Sequence, residues 1–351
     1  MAIAASGAVS FSDLRTEFVG GSSTISFSDL YRGGSNILSK AGDNPATNLA
    51  ASVPTSGVID IQDFYSTAKG FKNTISSSTT NVDADALFGD DYDINYPKIV
   101  DINSGVTVGG VSDDAIDIPS GLAGSLTINN AGTVIGFGGA SAGATGGNAI
   151  NCAVSGVTIN NTGQISGGGG AGNVGGNGGG GQTSSTSDSG YIHNASSNWE
   201  IFSGGSNAGK SRVWFGGSLI VNNQAVGSQV TVSGKTYYRG SYVASYDEDS
   251  GEYRVRRVFT STSNTNGGSG GSFGLGAGYN QTATNGGSGS SGGTNAGAGG
   301  AGSNGAALGT AAATSSAGAN GNRTNGSAGS SGGAAGAAVS GTTVTMNNTG
   351  T

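Results

Sequence analysis

The sequence predicts a mostly β protein: a small N-terminal repeat head, then β-solenoid-like rungs carrying glycine-rich excursions, with an inserted small β-domain. Three observations predict it. A short apolar motif ending in Asp recurs three times near the N-terminus, a Thr-Ile-Asn-Asn unit returns at wide spacing, and 71 of the 351 residues are glycine. Glycine loses the most entropy on folding and offers no side chain to bury, so the second half cannot build an ordinary hydrophobic core. The expected divisions are 1–70 (attachment head), 71–187 (rungs with glycine tracts), 188–262 (aromatic insert) and 263–351 (glycine tract returning to a rung).

The head motif reads Ser6-Gly7-Ala8-Val9-Ser10-Phe11-Ser12-Asp13-Leu14, Thr24-Ile25-Ser26-Phe27-Ser28-Asp29-Leu30 and Ser56-Gly57-Val58-Ile59-Asp60-Ile61-Gln62-Asp63-Phe64. Apolar residues two apart, then Asp and Leu or Phe, predict a short strand entering an Asp-capped or helical turn. Each copy is expected to contribute one layer of a compact head, and the Asp residues to cap backbone.

Residues 71–139 read as β-rich, at Thr74-Ile75, Lys98–Ile102 and Gly105–Val108. Between the first two lie Asp83, Asp85, Asp90, Asp91 and Asp93. Hard cations favour such oxygen ligands. The EF-hand spacing and its closing Glu are absent, so a solvated loop is expected and no metal is assigned.

The rung unit is Leu126-Thr127-Ile128-Asn129-Asn130-Ala131-Gly132, repeated at Val157–Gly163 and begun again at Val344–Gly350. A period-2 strand, an Asn-Asn corner and a Gly predict stacked β-rungs whose Asn side chains ladder and whose Gly takes a φ that other residues avoid. Something large must separate the second and third copies. Much of that gap is glycine tract, at 166–181 and within 264–341, and a further tract, 136–147, precedes the second copy. Polyglycine can form the three-residue-per-turn left-handed helix, which lacks internal hydrogen bonds and must bond to neighbouring helices. The tracts carry almost no charge, and the chain's net charge is only −7. They are therefore expected to pack as a bundle of such helices, anchored at the rungs, rather than to remain unfolded.

The insert concentrates aromatics and basic residues. Tyr242–Phe259 reads as a hairpin around the polar turn Asp247-Glu248-Asp249-Ser250-Gly251. Gly204–Ser211 matches the phosphate-loop pattern letter for letter, but a strand-like Arg212-Val213-Trp214-Phe215 follows where the chemistry needs a helix, so a hairpin loop is expected. The single histidine, His193, has no histidine partner for a triad or metal site, and Cys152 sits in an apolar stretch, where burial is expected. No catalytic or cofactor-binding residue is assigned, and the chain reads as non-enzymatic. Trp199, Trp214 and Tyr242 are the candidate receptor contacts, because Trp and Tyr bring area and hydrogen bonds together at interfaces.

The acidic balance offers no stripe for phosphates, so no nucleic-acid partner is expected. No secretory leader and no apolar run long enough to span a membrane are evident. Thin layers bury little apolar area per chain, which favours assembly with itself or a partner.

The opening motif with Leu30-Tyr31-Arg32-Gly33-Gly34, the Ile102–Gly110 stretch and the Thr-Ile-Asn-Asn-x-Gly rungs resemble tailed-bacteriophage tail fibre proteins, in particular the glycine-rich adhesins of T-even-like phages. That resemblance implies a virion tail protein made in the host cytoplasm, polyglycine helices packed as a sandwich, and loops that meet a host glycan or outer-membrane protein. It implies attachment to other virion proteins through the head, with Phe11, Leu14, Phe27, Leu30 and Phe64 as candidate contacts, and it implies a trimer. A virion component without receptor binding, and a bacterial adhesin or ice-binding solenoid, stay open at this point.

Overall fold

The computed structural model describes residues 3–20, 24–34, 36–37, 49–192, 199–201, 211–215, 218–224, 229–232, 235–239 and 255–351, and gives the backbone alone between 186 and 260. The centre is a three-sided β-solenoid making roughly three turns between residues 71 and 166. The first turn is β1 (Phe71–Ile75), β2 (Thr79–Thr80) and β3 (Val82–Asp83); the second is β4 (Lys98–Ile102), β5 (Thr107–Gly109) and β6 (Ile116–Ile118). The third is β7 (Leu126–Asn130), β8 (Thr133–Ile135) and β9 (Ile150–Cys152), followed by β10 (Val157–Asn161) and β11 (Gln164–Ser166). Every stacked pair is parallel and in register, as in Lys98 beside Leu126 beside Val157.

Alternate residues of β4, β7 and β10 are buried. Val100, Ile128 and Ile159 thus stack along the core with Ile116, Ile118, Ile150 and the buried Cys152. Repetition of the same short strand is what makes this possible: identical side chains stack with identical volume at each level.

The acidic stretch is helical rather than a loop, with Asp83, Asp85, Asp90 and Asp93 exposed and Asp91 buried. It folds into α-helix Ala84–Phe88 and a 3₁₀ turn Gly89–Asp91, and buries Ala84, Phe88 and Tyr92 on the solenoid. Lys98 is fully buried beside it, donating from Nζ to the carbonyls of Ile94, Tyr96 and Ala123 at 2.7, 3.2 and 2.8 Å. Burial pushes its pKa down, while Asp91 and Asp93 act the other way.

One corner of the solenoid grows with each turn. Asn81 alone joins β2 to β3, residues 110–115 join β5 to β6, and 136–149 join β8 to β9. At the fourth level the connection from β11 is the whole of 167–338, after which the chain returns to the solenoid. Both long connections leave from the same edge, so their glycine-rich arms lie side by side.

They form a polyglycine sandwich. The N–H groups of Gly169, Gly172, Gly175 and Gly178 donate to the carbonyls of Ala277, Gly274, Gly271 and Gly268. The carbonyls of Gly170, Asn173, Gly176 and Gly179 accept from Ala306, Ser303, Gly300 and Gly297, and those of Gly168 and Ala171 accept from Gly336 and Gly333. Each neighbour is met every third residue, which is the repeat of the polyglycine helix. Residues 167–180 are the central member, spanning about 40 Å at a ~3.1 Å rise. Tyr279 pins the sandwich to the solenoid: a Cβ on Gly109 would lie 2.1 Å from its ring.

Between 180 and 266 the chain leaves the sandwich through an antiparallel ribbon, whose outgoing strand is β12 (Gly181–Ile192). A three-stranded sheet of β13 (Trp199–Ile201), β14 (Ser211–Phe215) and β15 (Ser218–Gln224) follows. Then β16 (Gln229–Val232) and β17 (Lys235–Arg239) add to the returning strand β18 (Val255–Thr265), which pairs with β12. The ribbon's limits therefore lie inside the glycine tracts rather than at 188 and 262. The chain rejoins the solenoid as β19 (Val339–Gly341) on β9 and β20 (Thr345–Asn348) on β10, the third Asn-Asn copy in register with the second.

Candidate attachment and recognition sites

The two ends furthest from the solenoid core carry the candidate sites. At the head, each motif copy is a helical turn, without the expected strand: Phe11–Leu14, Phe27–Leu30 and Ile61–Phe64. Ser10, Ser26 and Asp60 cap them, and the Asp at the third position of each turn accepts the cap residue's N–H at 2.8, 2.8 and 2.7 Å. This is a capping box with Asp in the place of Glu. The N–H and hydroxyl of Ser10 hold Asp13 below the usual carboxylate range, and Ser26 does the same for Asp29.

Instead of layering, the second copy is tied to the third and the third to the first. The Tyr31 hydroxyl, just after the second copy, donates to the Gly57 carbonyl at the start of the third. The Tyr65 hydroxyl, after the third, donates to the Gly7 carbonyl at the start of the first, at 2.6 Å. Gly7 and Gly57 hold the same backbone, φ +96° and +93°. Arg15 occupies the position after the first copy that Tyr31 and Tyr65 occupy after theirs. The head therefore has pseudo-threefold character.

That arrangement corrects three of the expected contacts. Leu14, Leu30 and Phe64 are fully buried and form the head's own centre with Phe18 and Val53. Phe11 is 44% exposed, and its ring meets Phe27 edge-on at 4.6 Å. The sequence reading missed Val58, which is 90% exposed on the third copy. Val58 stands out of phase with Ile59 and Ile61, which pack against the head's core, so the alternation itself points it outward.

At the other end, three pieces of chain meet where the central helix ends. Gln182 accepts at its carbonyl from the side-chain amides of Asn295 and Asn322, at 3.2 and 2.9 Å. The Asn322 Oδ1 takes the Gln182 N–H at 2.7 Å, and the Thr265 hydroxyl donates to the Thr294 carbonyl at 2.6 Å. The turns at 293–296 and 321–324 and the root of the ribbon are thus fixed together, with Thr294, Asn295, Arg323, Thr324 and Asn325 exposed.

Of the candidate receptor contacts, Trp199 lies in β13 opposite Val213, and Trp214 in β14 opposite Leu219. Tyr242 lies outside the described residues, as do His193, Gly204–Lys210 and the acidic turn at 247–249. Ser211–Phe215 is a strand, so no helix follows the glycine loop. Among the described residues no group of three or more His, Cys, Asp or Glu is placed to hold a metal ion, and no helix is long and apolar enough to cross a membrane.

A family model described as phage tail fibre adhesin Gp38 matches residues 70–254. Among solved structures, the gp37-gp38 adhesin tip complex of the bacteriophage S16 long tail fiber matches at 17% identity and a TM-score of 0.35, covering 84% of this chain and 85% of that one. No curated protein matches.

Proposed function

The chain belongs to the family of phage tail fibre adhesins described as Gp38, and from that premise we propose that it docks on the fibre through its head and meets the host through the far end of its sandwich. The family sets aside the readings as a purely structural virion component or a bacterial or ice-binding solenoid, and gives the chain a place in the virion tail. In this reading it works by binding, without catalysis.

The observation that carries the reading is the three-turn head. Three similar turns in one chain suit a partner with three equivalent chains at its end, because each turn can then face one of them. The chain itself would be present once per fibre end, in place of the homotrimer expected from sequence. Phe11 and Val58 supply the exposed apolar contacts. The tip supports the second half: its turns are exposed yet pinned by side-chain amides, so ordering them on binding costs little.

Phe11→Asp with Val58→Asp in the full chain separates the two roles. Fibres should lose the adhesin, scored by its absence from purified virions, while the isolated variant still binds host cells. Normal incorporation of the double variant would sink the attachment half; wild-type chain that fails to bind cells would sink the recognition half.

A further inference from the structure

Between Asp117 and Asp188, and again from Val258 to Thr351, the sequence holds one charged residue, Arg323. The whole polyglycine sandwich is built from those two stretches. Its single charge therefore sits on the turn at the end furthest from the solenoid.

That turn is rigid. Gly321 N–H donates to the Thr324 carbonyl at 3.0 Å, and the N–H groups of Arg323 and Thr324 both donate to the Gly180 carbonyl at 3.1 Å. Asn322 is held on both sides of its amide by Gln182. Arg323 itself is exposed, and the sandwich contains no acid to neutralise it. The same polarity runs through the chain: residues 1–117 hold six Lys or Arg against fifteen Asp or Glu, and residues 118–351 hold eight against six. The weakly basic composition of the later part of the chain suits contact with an anionic surface.

We propose that Arg323 recognises an anionic group, phosphate or carboxylate, on a saccharide of the host surface. The inference rests on the tip being the receptor-facing end. A guanidinium presents two parallel N–H donors that match either group. The exposed residues around it, Thr294, Asn295, Thr324 and Asn325, are small and polar. They suit sugar hydroxyls, whereas a protein hot spot would need buried aromatic or large apolar anchors.

Full-length wild type, Arg323→Ala and Arg323→Lys would be compared for binding to lipopolysaccharide from a strain to which the phage adsorbs. The same material after dephosphorylation, after carboxyl reduction and after both supplies the control ligands. Arg323→Ala should weaken binding roughly tenfold or more, with Arg323→Lys between. The treatment that removes the recognised group should bring wild type down to the Ala variant, which tells phosphate from carboxylate. Equal binding of wild type and Arg323→Ala to untreated material overturns the proposal, as does a wild-type advantage that survives both treatments. Wild type that adsorbs to cells but ignores lipopolysaccharide overturns it while the adhesin reading stands; wild type that fails to adsorb overturns both. An unchanged melting temperature confirms that the variants fold.

Discussion

A Cβ on Gly172 would lie 1.9 Å from the Ser303 carbonyl oxygen, and one on Gly175 the same distance from that of Gly300. In both cases the obstacle is backbone, which has no flexible end to swing aside. Glycine in the sandwich is therefore demanded by the spacing between helices, and the backbone hydrogen bonds stand where side-chain packing stands in ordinary cores. Gly172→Ala should cost about 3 kcal/mol or more, read as a lower melting temperature. Val174→Ala, two residues on but 45% exposed, should change stability by no more than about 0.5 kcal/mol. The same reasoning revises the rung glycines. Gly163 carries no left-handed φ; a Cβ there would meet the Gly132 carbonyl oxygen at 2.0 Å, and one on Gly350 the Gly163 oxygen at 2.1 Å. Close stacking of successive corners requires them, where the sequence reading invoked backbone conformation.

On the solenoid strands the Asn pairs form two ladders. Asn160 Nδ2 donates to Asn129 Oδ1 at 2.8 Å, and Asn347 Nδ2 to Asn160 Oδ1 at 2.9 Å. The inner ladder runs from the buried Asn130 and Asn161 to the exposed Asn348, each step 2.7 Å. The outer ladder is polarised by Asp101, a carboxylate that can only accept: Asn129 Nδ2 must face it, at 2.8 Å, and each later amide follows suit. Burial opposes ionisation of Asp101, but hydrogen bonds from Lys72 and Asn129 outweigh it and hold the carboxyl below its ordinary 3.8. The ionised form thus contributes stability that is fully present above that value and is lost as pH falls through the lower folded-state pKa. Asp101→Asn should melt lower than wild type at pH 6, with the gap closing from about pH 4 downward. A gap of constant size down to pH 2 would show that Asp101 is not the ladder's titrating end. The ladders were legible in the sequence because a repeated strand must stack like on like; the buried Lys98 in a column of Leu and Val was not, since only the neighbouring turns supply the carbonyls that satisfy it.

For the molecule as a whole, the proposed recognition requires that the tip hold a fixed direction relative to the fibre. Lys69 is one fastener between head and solenoid, beside the Tyr96 hydroxyl, which donates to the Asn36 carbonyl at 3.2 Å. The Lys69 N–H donates to Glu17 Oε1 at 2.9 Å, its Nζ to the Phe18 carbonyl at 3.2 Å, and the ammonium lies 4.6 Å from the Tyr96 ring centre. Lys69→Ala should cost about 1 kcal/mol and expose the junction near residues 66–72 to limited proteolysis faster than wild type; an unchanged cleavage rate would place the rigidity elsewhere. The sequence by itself determined the repeats, and repeats determine stacking: strand period, Asn-Asn spacing and glycine content dictate rungs and polyglycine helices wherever they occur, because those rules are local. The tertiary structure alone decided which helices became neighbours, that both excursions leave one growing corner, that the head packs its three turns together so that Leu14, Leu30 and Phe64 are buried and Phe11 stays outside, and that Arg323 stands at the tip. Each of these depends on contacts between residues far apart in the chain, and such contacts leave no period for a sequence to show.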